Sequence, residues 1–250
     1  KIQETQNILY TDLLIWLYIE EGEYAQAFRQ LKALDKRNEN PEAKIISLGQ
    51  RALAKTQYPI ALESFTYVES KGEMGAYFEE AIYLKLQTLR LQLRATPQPK
   101  KEAFLTLLNQ HYAALKPLQG DEKYVFTERD IAGILYFDLK MSDSATHVLE
   151  TTIAQFGNVY KKPVAECKMM LGDILLAQGE SIEAIFKYME VERAFNGTPL
   201  GDEAKFMKAK VAYFTLDFPW ALSQFEVLKS STTKLISNDA LQMALLISDN

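Results

Sequence analysis

Hydrophobic residues recur along most of this chain at the three- and four-residue spacing of amphipathic helices, and turn-forming residues interrupt the pattern at intervals. No stretch alternates strictly enough between apolar and polar residues to indicate a β-strand. The pattern predicts an all-α protein, with helices over residues 4–21, 24–37, 42–55, 59–70, 76–95, 99–116, 121–140, 142–156, 162–178, 181–195, 200–215 and 218–230, and a last helix from near Asn238. Pro59 and Pro219 fall at predicted helix starts, where the missing N–H of proline leaves no helical hydrogen bond unmade.

A short motif recurs along the chain: a turn, then an alanine, then an apolar residue four positions later. The repeat alanines are Ala27, Ala61, Ala103, Ala145, Ala184 and Ala221, separated by 34, 42, 42, 39 and 37 residues. The apolar residues that follow are Leu31, Phe65, Leu107, Leu149, Tyr188 and Phe225. Twelve positions before four of the alanines stand the small residues Gly49, Gly133, Gly172 and Ala209. We interpret each copy as a helical hairpin whose small residues let the two helices approach closely.

These offsets resemble the tetratricopeptide repeat family, with Leu48–Gly49, Tyr58, Ala61 and Phe65 as the most similar copy and Leu171–Gly172, Ala184 and Tyr188 as the second. The resemblance covers about residues 4–250. It implies a right-handed α-solenoid of stacked antiparallel hairpins, about six and a half repeats, in a single domain over residues 1–250. The match is weakest over residues 76–116, and residues 237–250 form an incomplete last repeat. The stretch from Pro199 to Asn250 is also similar to uncharacterised tetratricopeptide proteins of bacteria.

Composition and motifs exclude several kinds of function. The net charge is −5 and the pI is near 5.3, so we expect no nucleic-acid partner. Neither His111 nor His147 has a histidine or cysteine one helical turn away, and Cys167 is the single cysteine, so we expect no metal site and no cofactor. We interpret Cys167 as a buried inert thiol and both histidines as surface or half-buried residues. Glycine-rich phosphate loops and hydrolase motifs are absent, which predicts a protein that is not an enzyme.

The ends of the chain leave location and assembly open. No apolar run is long enough to predict a membrane-spanning helix. The chain begins at Lys1 rather than at a methionine, so cytoplasmic and bacterial periplasmic locations are both compatible with it. A seventh repeat starts near Asn238 without a second helix to cover it. We therefore expect either further chain or self-association through this open C-terminal end.

The resemblance implies a groove lined by the first helix of each hairpin, which binds a segment of another protein. The family's register places groove positions 15 and 11 residues before each repeat alanine. These positions are Asp12 and Trp16, Ile46 and Gln50, Thr88 and Gln92, Asp130 and Ile134, Met169 and Asp173, and Phe206 and Lys210. The candidate binding residues among them are Asp12, Trp16, Gln50, Gln92, Asp130, Met169, Asp173, Phe206 and Lys210.

The character of these side chains indicates what the groove binds. Lys210 is the single basic residue of the set, so we do not expect the family's basic clamp for a terminal carboxylate. The apolar and acidic side chains favour a neutral or mildly basic peptide that carries apolar residues. Alanine at Asp173 or Phe206 is expected to weaken partner binding without lowering the melting temperature.

Two functional classes follow from these expectations. The first is a non-enzymatic scaffold that binds a peptide or partner segment in its groove. The alternative is a structural spacer or oligomerisation arm within a larger repeat protein. Salt-dependent capture of a peptide would favour the scaffold, and a concentration-dependent mass without ligand would favour the arm.

Overall fold

The computed structural model of this chain describes residues 2–37, 40–231 and 233–249, with side chains from Tyr10 onwards. The helices are α1 (Ile2–Glu20), α2 (Tyr24–Asp35), α3 (Glu42–Ala54), α4 (Tyr58–Glu69), α5 (Phe78–Ala95), α6 (Lys101–Leu115), α7 (Glu122–Gly133), α8 (Ser142–Phe156), α9 (Lys161–Ala177), α10 (Ser181–Ala194), α11 (Pro199–Phe214), α12 (Phe218–Leu228) and α13 (Lys234–Ser248). A π-helical turn, Ile134–Asp138, continues α7. No strand occurs within the described ranges, and the predicted all-α class is confirmed.

The helices pack as successive hairpins. Each odd-numbered helix up to α11, here called a first helix together with α13, packs against the even-numbered second helix that follows it; α7 does so through its π-helical continuation. Most second helices also contact the next first helix. The chain forms two compact units, Lys1–Thr127 and Glu128–Asn250. Each unit is a stack of these hairpins, so the predicted helical-repeat architecture is confirmed within each. A single continuous domain over residues 1–250 stays a prediction.

One close fit recurs at the centre of the hairpins. A Cβ atom added at Gly49 would lie 2.5 Å from the ring of Phe65, and one added at Gly172 would lie 2.6 Å from the ring of Tyr188. Both rings are fully buried, and so are the repeat alanines Ala61 and Ala184. The glycine therefore makes room for the aromatic ring four residues after the alanine, rather than for the alanine itself.

The turn inside each hairpin has the same backbone geometry in every copy. The residue five positions before every repeat alanine has a positive φ: Gly22 (79°), Thr56 (57°), Gln98 (52°), Lys140 (60°), Gly179 (88°) and Leu216 (67°). This left-handed conformation is favourable for glycine and strained for residues with a Cβ atom. All six predicted hairpins therefore share the same turn, including the one around Ala103, whose sequence matches the repeat least.

A backbone hydrogen bond closes the turn and fixes the register. The N–H four positions before the repeat alanine donates to the carbonyl nine positions before it, as in Gln57 to Ala52 (2.8 Å) and Glu180 to Leu175 (2.9 Å). This is the Schellman arrangement, which satisfies carbonyls at the end of the first helix. Between α5 and α6 the donor position is Pro99, which has no N–H.

The π-helical turn after α7 corrects the predicted register of the fourth hairpin. There the closing bond runs from Met141 to Leu135, one residue further back than in the other hairpins (2.8 Å). The extra residue moves every position of α7 by one. The small residue of this hairpin is consequently Ala132, preceded by Ile131, and both are fully buried. The assignment of Gly133 to that position was wrong.

Three further details differ from the sequence-based expectations. Ala103 is half-buried rather than fully buried, while Phe104 and Leu107 supply buried residues of its helix. The last helix begins at Lys234 rather than near Asn238. His111 is fully buried, and its Nδ1–H donates to the carbonyl of Leu107 (2.8 Å), so it is not a surface residue.

We predict that Gly172→Ala destabilises the protein because the new methyl group overlaps the ring of Tyr188. Overpacking costs about 1–3 kcal/mol, and the better helix propensity of alanine recovers up to about 1 kcal/mol. We expect a net loss of about 1–2 kcal/mol in the free energy of unfolding, measured with urea. The same change in a Tyr188→Leu background should cost clearly less. An equal cost in both backgrounds would show that the overlap does not limit stability.

The shared turn gives a second prediction, of opposite sign at two positions. Leu216 is exposed (72%) and has a positive φ, so Leu216→Gly should raise the free energy of unfolding by about 0.5–1 kcal/mol. Gly179 has open space around its Cα, so Gly179→Ala should lower it by about 1 kcal/mol through backbone strain alone. Leu216→Ala is the control for loss of the side chain. If it stabilises as much as Leu216→Gly, backbone strain is not the cause.

Candidate functional site

The largest described cavity lies in the C-terminal unit, among the first helices α9, α11 and α13. Its volume is about 880 Å³. Its apolar wall consists of Phe195, Pro199, Leu200, Phe206, Met207, Leu235 and Ile236, and its polar lining residues are Lys162, Glu166, Thr198, Glu203, Thr233 and Asp239. We refer to this site as the C-terminal cavity. Each helix contributes residues three or four positions apart, which is one helix face.

Three acidic residues line this cavity at equivalent positions of successive repeats. Glu166 lies on α9, Glu203 on α11 and Asp239 on α13, with separations of 37 and 36 residues. Each is followed by a small residue that is fully buried: Cys167, Ala204 and Ala240. The packing of that small residue orients the acidic residue before it towards the same side of each helix. We call Glu166, Glu203 and Asp239 the acidic ladder.

The members of the ladder differ in their charge partners. Arg129 forms ion pairs with Glu166 and with Asp130, so the charge of Glu166 is balanced. Among the residues that the structure describes, neither Glu203 nor Asp239 has an ion-pair or hydrogen-bond partner. Desolvation, with smaller contributions from Asp173 and Glu166, raises the pKa of Glu203 above its ordinary value. The cavity thus contains carboxylates without a matching cation.

Asp173 extends the acidic surface along α9, two turns beyond Glu166. The hydroxyl of Tyr188 donates a hydrogen bond to its carboxylate (2.7 Å), while the ring of Tyr188 fills the space beside Gly172. Desolvation raises the pKa of Asp173, and both the Tyr188 hydrogen bond and the charge of Lys210 lower it by less. The core residue of this repeat therefore holds a groove residue in place.

Phe206 and Lys210 lie one turn apart on α11 and belong to the same surface. The Lys210 ammonium lies 5.8 Å from the centre of the Phe206 ring. Phe206 also packs on the buried ring of Phe225, with ring centres 5.6 Å apart. Because of this contact, alanine at Phe206 would remove core packing, and the expectation of an unchanged melting temperature holds better for Asp173 than for Phe206.

A smaller cavity of about 480 Å³ lies among α3, α5 and the start of α7, within the N-terminal unit. Gln50 lines it, together with Tyr77 and Glu79. Lys123 also lines it and forms ion pairs with Glu80 (3.3 Å) and Asp121 (3.4 Å). Since these charges are matched within the protein, this cavity offers a ligand less unmet charge than the C-terminal cavity does.

The remaining predicted groove residues divide by their offset from the repeat alanine. Trp16, at the 11-residue offset, is 53% exposed, and Gln92 is half-buried. Asp12, at the 15-residue offset, is partly exposed and accepts a hydrogen bond from Lys44 (2.6 Å). Met169, at the same offset, is 8% exposed, because α9 packs against both α8 and α10 and is buried over most of its circumference. Met169 is thus a core residue rather than an open groove residue.

Asp130 is the clearest correction among the predicted groove residues. It is 3% exposed, and its charge is paired with Arg129 (3.2 Å). The reason is the π-helical turn, which moves the register of α7 by one residue and gives the groove position to Arg129. The structure therefore brings Asp173, Phe206 and Lys210 together near the C-terminal cavity, and it places Asp130 in the interior.

Two solved structures share the arrangement of helices described above. The tetratricopeptide repeat protein TTC0263 of Thermus thermophilus is 15% identical, with a TM-score of 0.54 over 82% of this chain and 98% of that chain. PilF of Pseudomonas aeruginosa is 13% identical, with a TM-score of 0.55 over 97% of this chain and 99% of that chain. This chain has a tetratricopeptide-repeat fold. No protein-family model matches its sequence, and no curated protein sequence matches it.

Within the tetratricopeptide-repeat fold, the soft nucleophile and metal-ligand candidates lie apart from the cavity. Cys167 is fully buried, as predicted, and desolvation raises the pKa of its thiol to about 12. The protonated thiol is a poor nucleophile. In the described part of the chain, no group of three or more His, Cys, Asp or Glu side chains is placed to hold a metal ion. No described helix is apolar over enough length to cross a bilayer.

The acidic ladder was not predicted from the sequence, although the tetratricopeptide-repeat register contains it. Glu166 and Glu203 both lie 18 residues before their repeat alanines, Ala184 and Ala221. The predicted groove positions lie at the offsets of 15 and 11 alone. Recurrence of an acid at one offset in successive repeats is the signal that would have found the ladder.

We predict that Tyr188→Phe raises the pKa of Asp173 further, because the hydrogen bond that favours the ionised carboxylate is lost. The free energy of unfolding should fall by about 1 kcal/mol. An NMR pH titration of the Asp173 carboxyl carbon measures the first effect, and urea unfolding measures the second. Tyr10→Phe, at an exposed tyrosine, is the control. An unchanged Asp173 titration would show that the hydrogen bond is not formed in solution.

Proposed function

We propose that this protein is a non-enzymatic interaction module that binds a segment of a partner protein in the C-terminal cavity. The observation that carries this proposal is an open cavity of about 880 Å³ whose wall is mostly apolar and to which three successive first helices contribute. Cavities that bind ligands in proteins commonly measure about 300–1,000 Å³. A repeat stack supplies such surfaces from equivalent positions of adjacent repeats.

The shape of the cavity favours a peptide over a compact small molecule. The lining residues on α11 extend from Pro199 to Met207, which corresponds to about 12 Å along the helix axis. Asp173 and Lys210 continue the same helix faces beyond the cavity. A chain of several residues in extended conformation would span this surface, with one apolar side chain inserted between α11 and α13.

The proposal is tested by selecting random dodecapeptides displayed on phage against the full chain. Selected peptides should bind Leu235→Ser about five- to tenfold more weakly, because this leucine lines the cavity and its contact with an apolar ligand is lost. Leu235 is 72% exposed, so the change should leave the thermal unfolding midpoint nearly unchanged. Binding is measured by fluorescence anisotropy of the synthetic peptides.

Leu241→Ser is the matched control, since Leu241 is exposed on the same helix and does not line the cavity. Equal effects of the two changes would contradict binding in the cavity. Failure of any peptide to bind the wild-type chain would contradict the proposal itself.

Self-association is the second candidate function, and the exposed face of α13 favours it. Leu241, Leu245 and Leu246 are 42%, 50% and 46% exposed along this helix. Contact between two such faces would bury apolar area in a dimer. Light scattering across a hundredfold range of concentration distinguishes the candidates: a rising mass that Leu241→Ser and Leu245→Ser reverse would support an oligomerisation arm.

A further inference from the structure

We infer that the C-terminal cavity binds a segment in which a lysine or arginine stands next to a bulky apolar residue. This inference rests on the proposed function and specifies its ligand. The apolar side chain would contact Phe206, Met207 and Ile236, and the cation would lie beside Glu203 and Asp239. Both requirements come from the same cavity, which is why the two ligand groups must be neighbours.

The apolar half of the inference follows from the lining of the cavity. Phe195, Leu200, Met207 and Ile236 are only partly buried although they surround one depression, so their apolar surfaces remain in contact with water. Leu235 at its edge is 72% exposed. Inserting one phenylalanine or leucine side chain would remove apolar surface of both partners from water, which is worth about tenfold in affinity for each 1.4 kcal/mol gained.

The cationic half follows from the balance of charge. Of the described charged residues around the cavity, Glu166 is matched by Arg129, and Lys162 is the single cation in the lining. Glu203 and Asp239 have no partner among the described residues, and Asp173 lies close enough to Glu203 to disfavour its ionised form. A ligand cation would reverse this repulsion, whereas a ligand carboxylate would add to it.

The alternative ligands are less well matched to these residues. A peptide ending in a free carboxylate needs converging cations, and Lys210 lies over Phe206 near the acidic Asp173 rather than beside a second lysine. A polyanion such as a nucleic acid would meet the carboxylates of three successive first helices. Both are excluded as the main ligand by repulsion from the acidic ladder.

Substitution of Glu203 separates a ligand-binding role from a structural one. Glu203→Gln keeps the shape of the side chain, removes one negative charge and relieves the repulsion from Asp173 and Glu166. The folded protein should therefore be as stable as the wild type or slightly more stable. A residue kept for folding would give the opposite result. Glu183→Gln is the control, because Glu183 is exposed on α10 in the same unit and does not line the cavity.

The test uses the full chain and one peptide from the phage selection, synthesised in versions that differ at two adjacent positions. The first version carries lysine next to phenylalanine; the others replace the lysine by glutamine or glutamate, or the phenylalanine by alanine. Anisotropy titrations should show binding of the lysine version at least about tenfold tighter than the glutamine version, with the glutamate version weaker still. Replacing the phenylalanine should also cost about tenfold.

Glu203→Gln should reduce the preference for lysine over glutamine to less than about threefold, and Glu183→Gln should leave it unchanged. Equal binding of the lysine, glutamine and glutamate versions, with the effect of Leu235→Ser retained, would overturn this inference and leave the proposed function intact. A preference for glutamate would also overturn it. Absence of binding by all versions would instead contradict the proposed function.

Discussion

The fit of one buried side chain against a small residue of the facing helix underlies the rest of this structure. Gly49 and Gly172 leave no room for a Cβ atom beside Phe65 and Tyr188, so each ring occupies the space between the two helices of its hairpin. This contact sets how closely a first helix approaches its second helix. Through the next hairpin it also sets the separation of adjacent first helices, and hence the width of the surface that they form. In the repeat of α9 and α10 the ring is a tyrosine, and its hydroxyl carries the effect of the core directly to Asp173.

The helices and the repeat were predictable from the sequence because they depend on short-range patterns. The repeat alanine, the apolar residue four positions later and the preceding turn all lie within ten residues, and five of the six alanines are fully buried. The turn geometry was harder to recognise, because Thr56, Lys140 and Leu216 occupy a conformation that glycine would favour. Their left-handed backbone is imposed by the packing of the two helices on either side. Sequence preference at a single position is too weak to reveal it.

The π-helical turn shows why the site was less predictable than the fold. One additional residue between Gly133 and Leu139 leaves the helix hairpin intact, yet it rotates every residue of α7 by about 100° relative to the predicted face. Asp130 thereby moves from the surface to the interior, where Arg129 balances its charge. Nothing in the local sequence distinguishes this turn from a regular helix. Groove residues assigned by counting back from the repeat alanine are therefore reliable only where the hydrogen bond that closes the turn has the usual spacing.

The acidic ladder matters because the fold does not require it. The buried residue of each position is the small one that follows, Cys167, Ala204 or Ala240, and any polar side chain could precede it without disturbing the hairpins. Acidic residues are nevertheless found there in three successive repeats, beside an apolar wall that disfavours charge and close enough to raise the pKa of Glu203. Such an arrangement lowers the stability of the isolated protein. Unmatched charges that weaken folding while facing an open cavity are what a binding site for a cationic, apolar segment requires, since the ligand supplies the missing countercharge.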